Sequence, residues 1–388
     1  MRNDEKIALA LLLLVYGIVG LIHGMNQGFW HDEIHTLTFL KGISAYDFQG
    51  SELYSLGNVF KIDFFKELLH RDRFIANFPT VILHEGHPPL YFILLKVWSF
   101  CFGYSEAALR SFSLLSGILS ALLFFTICIK TFEKKEVAWS VLFLILFNPF
   151  LFYFFTEARM YALAFLFASL SFKFWLNFTN ENKYASHSLL FIIFSVSLLY
   201  THYYGIFFIL SLSLIDLMKN RLYYRKTCYL TILLIFLPWA IVIKSQLAFH
   251  DAHWTEGSFT FLSSITAFGT NLIHLFFAPM SDLKFYEVLL GMLLSVCLLV
   301  FSTSKLKNRL IFIGVLFGYF VQIFIFDKIV NHHSIMVPRY YIFILIFFYW
   351  AIAYGVHNIS KVFSILIITS YCIVAGFATY EIFTLDRA

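Results

Sequence analysis

Charge is what this 388-residue sequence has least of: Asp, Glu, Lys and Arg together make up 13%, against roughly 25% in soluble domains. A chain this poor in charge cannot cover a water-facing surface, so a soluble globular domain is excluded. The 28 Lys and Arg against 23 Asp and Glu leave a formal charge of only +5, and nothing in their spacing implies a nucleic-acid partner. Cysteine is sparser still. Cys101, Cys128, Cys228, Cys297 and Cys372 stand singly in or beside apolar runs, which fits packing rather than a disulfide framework or a metal site. Internal repeats and low-complexity tracts are absent. No small-residue cleavage site follows the first apolar run, Ile7 to Ile22, which leads instead into His23-Gly24-Met25-Asn26-Gln27; the run reads as a retained first helix rather than a signal peptide.

What the chain does have is apolar and aromatic surface: 60% hydrophobic residues, 50 Phe and 22 Tyr. The composition predicts an all-α polytopic membrane protein, one integral membrane domain over 1–388, with interfacial aromatics. After the first helix, spans are expected over 107–129, 137–155, 160–178, 187–201, 203–218, 228–247, 283–303, 310–327, 340–356 and 362–379, about eleven in all. Residues 25–106 read as a first outer loop and 248–282 as a second. Within the first, 58–78 places Phe60, Phe64, Phe65, Leu68 and Leu69 on one helical stripe, the pattern of an interfacial amphipathic helix. The segment 88–103 opens on Pro88-Pro89, carries Lys96, and at 1.5 Å per residue is about 24 Å long, short of a ~30 Å hydrocarbon core.

Loop charge decides how to treat that segment. If 88–103 does not cross, the clusters Lys130/Lys134/Lys135, Lys219/Arg221/Arg225/Lys226 and Lys305/Lys307/Arg309, with Lys183 and Lys361, share a side with Arg2 and Lys6. Basic loops favour the cytoplasm, which places the N-terminus there and makes 88–103 an outward-facing, partly inserted helix. The other face then collects Asp32, Glu33 and His35; His84, Glu85 and His87; Glu157 and Arg159; His202 and Tyr203; His332, His333 and Arg339. The stretch Trp30-His31-Asp32-Glu33-Ile34-His35, just past the first span, is the expected reaction centre. His31 and His35 lack the Glu that a His-Glu-x-x-His zinc site requires after its first His, so no metal is predicted. A carboxylate can serve as base toward a hydroxyl while Arg and His stabilise a departing phosphate. That set suits an inverting displacement at a sugar carbon, and the membrane location suggests a lipid-borne donor.

Trp30-His31-Asp32-Glu33, His87-Pro88-Pro89-Leu90-Tyr91, Glu157-Ala158-Arg159-Met160-Tyr161, Tyr200-Thr201-His202-Tyr203-Tyr204-Gly205 and Pro338-Arg339-Tyr340-Tyr341 together resemble, in that order, the motifs of polytopic GT-C glycosyltransferases. The likeness is to the protein mannosyltransferase-like group (family 39) that includes the lipid A aminoarabinose transferases. The resemblance implies a bacterial inner-membrane enzyme moving a sugar from a polyprenyl-phosphate carrier to a hydroxyl of an outward-facing lipid, glycan or protein acceptor. It casts Asp32 as base with Glu33 its catalytic neighbour, and Arg339, Arg159 and His87 as donor-phosphate ligands; His87 stands where the aminoarabinose enzymes carry a lysine. His35, Glu85, Glu157, His202 and Tyr203 are further candidates. No cofactor is expected; a divalent metal, used by oligosaccharide-transferring relatives, is the alternative. The chain ends soon after its last span, so no soluble C-terminal domain is expected. The rival readings are a flippase or transporter of lipid-linked sugars and an O-antigen polymerase or ligase.

Overall fold

The computed structural model describes residues 2–42, 73–177, 184–249, 260–277, 306–330 and 333–384, and every regular element among them is helical. The first helix, α1 (Asn3–Met25), is followed by α2 (His31–Leu40), α3 (Phe74–His84) and α4 (Leu90–Phe102). Next come α5 (Glu106–Phe132), α6 (Lys135–Leu146), α7 (Pro149–Phe155), α8 (Tyr161–Leu176), α9 (Tyr184–Leu199) and α10 (Gly205–Met218). The rest are α11 (Leu222–Phe236), α12 (Ala240–Phe249), α13 (Phe261–Phe277), α14 (Leu306–Val330), α15 (Ile344–Asn358) and α16 (Lys361–Thr384). The expected span 283–303, most of the amphipathic stretch 58–78 and the tip His332 lie outside the described residues.

Five described helices are long and apolar enough to cross a membrane: α1, α5, α14, α16 and the run Leu222–Gln246 through α11 and α12. α8, α9, α10 and α15 are apolar but shorter, 14 to 16 residues, or about 21–24 Å. The outer helices show why the composition is so apolar. α1 leaves Ile7, Leu11, Leu14, Val15, Ile18 and Ile22 exposed while burying Tyr16 and Gly20, a surface suited to lipid and not to water. Its inner face comes so close to α5 that a Cβ on Gly20 would meet Leu114 at 2.8 Å, the small-residue contact typical of membrane helices.

The expected span 137–155 is broken in the structure. It is two helices, α6 and α7, bent by 64° at Asn148-Pro149. Pro149 has no N–H to continue the ladder, and Asn148 caps the new helix by accepting from the Leu151 N–H at 2.9 Å. Its amide nitrogen then donates to the Leu275 carbonyl and the Tyr349 hydroxyl, tying the bend to α13 and α15. The expected span 340–356 likewise starts late, because Pro338–Tyr341 forms a 3-10 turn ahead of α15.

Two ends of the bundle can be told apart by their contacts. Lys135 pairs with Glu5 at 2.8 Å, Lys361 with Glu136 at 3.3 Å, and Lys134 reaches the His357 carbonyl, so the start of α1, the α5–α6 turn and the α15–α16 turn share one end. At the other end Arg110, near the start of α5, donates to the carbonyls of Gly24, Gln27 and Gly28 at the exit of α1. Both ends of α4 belong to this second end: the Leu90 N–H donates to the Tyr200 carbonyl, and the Trp98 indole to that of Ala108. α4 therefore lies across this end instead of running through the bundle. Lys96, its one cation, is buried, with its ammonium on the Leu40 carbonyl and the Tyr104 hydroxyl.

Candidate active site

The second end gathers the polar residues from widely separated segments. α2 starts at Trp30, and Asp32 and Glu33 occupy its first turn, where the unsatisfied N–H groups and the helix dipole favour acidic side chains. Adjacent helical residues project about 100° apart, and the two carboxylates take opposite courses.

Glu33 points inward and is fully buried. Arg110 grips it with two hydrogen bonds, Nε to Oε1 at 2.8 Å and Nη2 to Oε2 at 2.5 Å, and the Ala158 N–H donates to Oε1 at 2.7 Å. The Trp30 N–H completes the set at 3.3 Å. Every acceptor direction of Glu33 thus serves the junction of α1, α2, α5 and the turn at 156–160. Its cation was absent from the local sequence because it comes from 77 residues away.

Asp32 points the other way, into a cluster of cations. Arg339 Nη1 donates to its Oδ2 at 2.9 Å, and His31 Nδ1 lies 3.6 Å from Oδ1. The Asp32 and Arg339 side chains are 20% and 26% exposed, so both remain within reach of a ligand. Arg159, in the turn between α7 and α8, is buried and donates through Nη1 to the Asp32 carbonyl at 3.0 Å and to the Thr36 hydroxyl at 3.2 Å. Burial alone would raise the Asp32 carboxyl, but Arg159, the contact with His31, Arg339 and His87 outweigh it and hold it well below the usual carboxylate range.

The other candidates surround this pair. His87 Nδ1 bonds Glu85 Oε1 at 2.8 Å, and its ring lies 6.1 Å from that of His202. Glu157 is fully buried, and its field acts on both Arg159 and Arg339. His35 packs edge-on to His31 at 4.6 Å, and burial followed by His31 lowers its pKa. His202 is buried, its pKa lowered well below 6.5 by desolvation and then by His87, Arg339 and Arg159. Its Nδ1 accepts the Tyr204 N–H at 3.2 Å, which assigns the proton of the neutral ring to Nε2. Tyr203 stands apart: its hydroxyl bonds Gln246 and accepts from the Trp239 indole, and Gln246 in turn donates to the carbonyls of Ile82 and His87. It braces the His87 loop from outside.

Among the buried polar atoms of this cluster with no hydrogen bond to another described group are the donors Arg159 Nε, Arg339 Nε, His202 Nε2 and the Tyr161 hydroxyl, beside the buried Glu157 carboxylate. All four can donate, and buried donors are ordinarily satisfied; with two guanidinium groups against the one Glu157 carboxylate, they offer donors to an anion beside Asp32. Sequence reasoning missed Tyr161, which lies in the Glu157–Tyr161 stretch and whose ring sits 5.4 Å from His202. It also missed Arg110 as a partner of Glu33; an arginine in the first turns of an apolar helix was the available signal.

No family model matches the sequence, and no curated protein does. Among solved structures, ArnT from Cupriavidus metallidurans in the apo state superposes with a TM-score of 0.59 at 16% identity, covering 92% of this chain and 60% of that one. The same protein bound to undecaprenyl phosphate gives 0.55 at 14% identity, covering 95% and 64%. The chain has the ArnT fold. It is an integral membrane protein of the GT-C architecture, spanning under two thirds of ArnT's length. Within that fold the Asp32–Arg339 pair joins the first short helix after α1 to the 3-10 turn before α15.

Proposed function

We propose that this chain is a membrane glycosyltransferase that moves a sugar from a polyprenyl-phosphate carrier to a hydroxyl of a lipid, glycan or protein acceptor, with inversion. The observation that carries the reading is the 2.9 Å contact between Asp32 and Arg339, set among buried donors that lack acceptors, in a fold shared with a protein whose structure holds undecaprenyl phosphate. Asp32 takes the proton of the acceptor hydroxyl as that oxygen bonds the anomeric carbon. The bond from this carbon to the phosphate oxygen breaks, and its electron pair leaves with the phosphate.

Arg339 and Arg159, with His87, bind the departing phosphate, whose charge rises as the bond breaks. In the ligand-free state Asp32 is a weak base because Arg159, His31 and Arg339 together hold it. A phosphate that draws Arg339 away and sets its own negative charge against Arg159 raises that basicity, so donor binding prepares the base. Glu33 acts through position, holding Asp32 and the Arg159 turn in register. We place the site on the extracytoplasmic face of a bacterial inner membrane and the N-terminus in the cytoplasm, on the loop-charge argument.

The test is transfer by the purified chain in detergent, comparing a polyprenyl-phosphate sugar with the corresponding sugar nucleotide. Product from the lipid donor alone, with inverted anomeric configuration, is the expected result. Movement of the lipid-linked sugar across vesicles without transfer would replace the enzyme with a flippase.

A further inference from the structure

The end of the bundle opposite the candidate site holds a cavity that the transferase reading does not use. Several helices that carry site residues at one end line this cavity with the other. α5 has Arg110 at the site and Thr131 at the cavity, and α8 has Tyr161 and Trp175. α10 follows the His202–Tyr204 turn and ends at Ile215 and Lys219, while α15 follows Arg339 and contributes Phe347, Trp350 and Tyr354. Along α8, Tyr161 and Trp175 lie about 21 Å apart.

The cavity encloses about 340 Å3, the lower range of small-molecule sites. Its walls are mainly apolar, with aromatic rings at their centre: Phe172 stacks on Trp175 at 5.8 Å and meets Trp350 edge-on at 5.3 Å. The Trp175 wall is fixed from behind. Its indole donates to Asp216 Oδ2 at 2.9 Å, and this fully buried carboxylate also binds Arg225 at 2.7 Å and the Tyr229 hydroxyl at 2.7 Å. Asp216 is thereby neutralised inside the wall. The charged side chains that line the cavity among the described residues, Lys219 and Arg221, are both cations.

An apolar chamber between membrane helices with cations and, among the described residues, no carboxylate on its lining fits a ligand with an anionic head and an apolar body. Free phosphate would use the cations and leave the aromatic surface without a role. We propose that this cavity binds an anionic phospholipid from the adjoining leaflet, its phosphate at Lys219 and Arg221 and its glycerol and first acyl carbons against Trp175, Phe172 and Trp350.

The full chain, reconstituted in phosphatidylcholine nanodiscs, is titrated with phosphatidylglycerol carrying brominated acyl chains, and tryptophan quenching is read against brominated phosphatidylcholine. The expected result is selective quenching by phosphatidylglycerol, shifted roughly tenfold or more to higher lipid in Lys219→Ala/Arg221→Ala and reduced in amplitude in Trp350→Phe. A companion measurement counts phosphatidylglycerol retained by wild type and by the double variant in native mass spectrometry, and this is independent of any transfer activity. Equal quenching by the two lipids, or equal retention by the double variant, overturns the site. Displacement of the effect by millimolar inorganic phosphate would assign the cations to free phosphate and overturn the lipid.

Discussion

Replacing Asp32 by Asn separates two consequences that ordinarily move together. The carboxylate pairs with Arg339 at 2.9 Å. Coulomb attraction at that distance, with an effective dielectric constant near 20, is about 6 kcal/mol before desolvation. What survives for a hydrogen bond to a charged group is about 1.5–3 kcal/mol, and the partial exposure of both side chains favours the lower half. The phosphate of the donor must draw Arg339 from this carboxylate, so Asp32→Asn should bind polyprenyl phosphate roughly 10-fold more tightly, at 1.4 kcal/mol per tenfold. The same variant lacks the base, and transfer should fall by about 10²–10⁴. Affinity is read by titrating the purified protein with a fluorescent polyprenyl phosphate, and the chemical step by single-turnover transfer at saturating donor. Tighter binding with lost transfer supports both roles. Full transfer would refute the base, and unchanged or weaker binding would refute the competition for Arg339.

Further outcomes follow from the neighbouring groups. Arg339→Lys keeps the charge and loses the planar fork, so lipid-phosphate affinity should fall roughly tenfold, and Arg339→Gln should fall further; equal affinities in all three proteins would remove Arg339 from the phosphate site. Glu33→Gln leaves Arg110 buried without its counter-charge, and the cost of breaking such a pair, about 3–5 kcal/mol, should appear as a lower thermal midpoint in detergent. Because Arg110 also donates to three carbonyls, Glu33→Gln/Arg110→Met should not restore it. The folded-state pKa of His202 lies below its ordinary 6.5. The unfolded chain therefore takes up the proton first, and stability should decline as the pH falls below about 6.5. His202→Gln should flatten that slope in thermal melts between pH 7 and 5, and an unchanged slope would contradict the buried neutral ring. Asp32 is shifted the same way from 3.8, so it stays ionised over that range and contributes nothing to the slope.

Much of the fold could be read from apolar runs, because a helix that faces lipid on one side and neighbours on the other is apolar nearly all round. What the runs conceal is where a helix breaks inside a continuous apolar stretch. Residues 137–155 are continuous in hydropathy, and only Asn148-Pro149, a cap followed by a residue without an N–H, marks the 64° bend. The crosswise placement of α4 was legible for a different reason: basic residues cluster at one end, and a crossing at 88–103 would have reversed every later loop. The candidate site was legible as a set, since acids, histidines and arginines at span ends are expensive enough to be noticed. Its internal wiring was not, because Arg110 and Glu33 are 77 residues apart and Asp32 and Arg339 are 307 apart.

The division of labour between Asp32 and Glu33 shows what kind of information the sequence withholds. Two neighbouring acids have the same local chemistry, and either could be written as the base. Helical geometry sends them in directions about 100° apart, and the field each enters decides its role. Glu33 meets a guanidinium, two N–H groups and no solvent, so its acceptor directions are all in use. Asp32 meets one donating arginine, a histidine at 3.6 Å and a partly open face, so its charge can be released by a competing anion. A base that must wait for its substrate needs that second environment, and the first is what holds it in place.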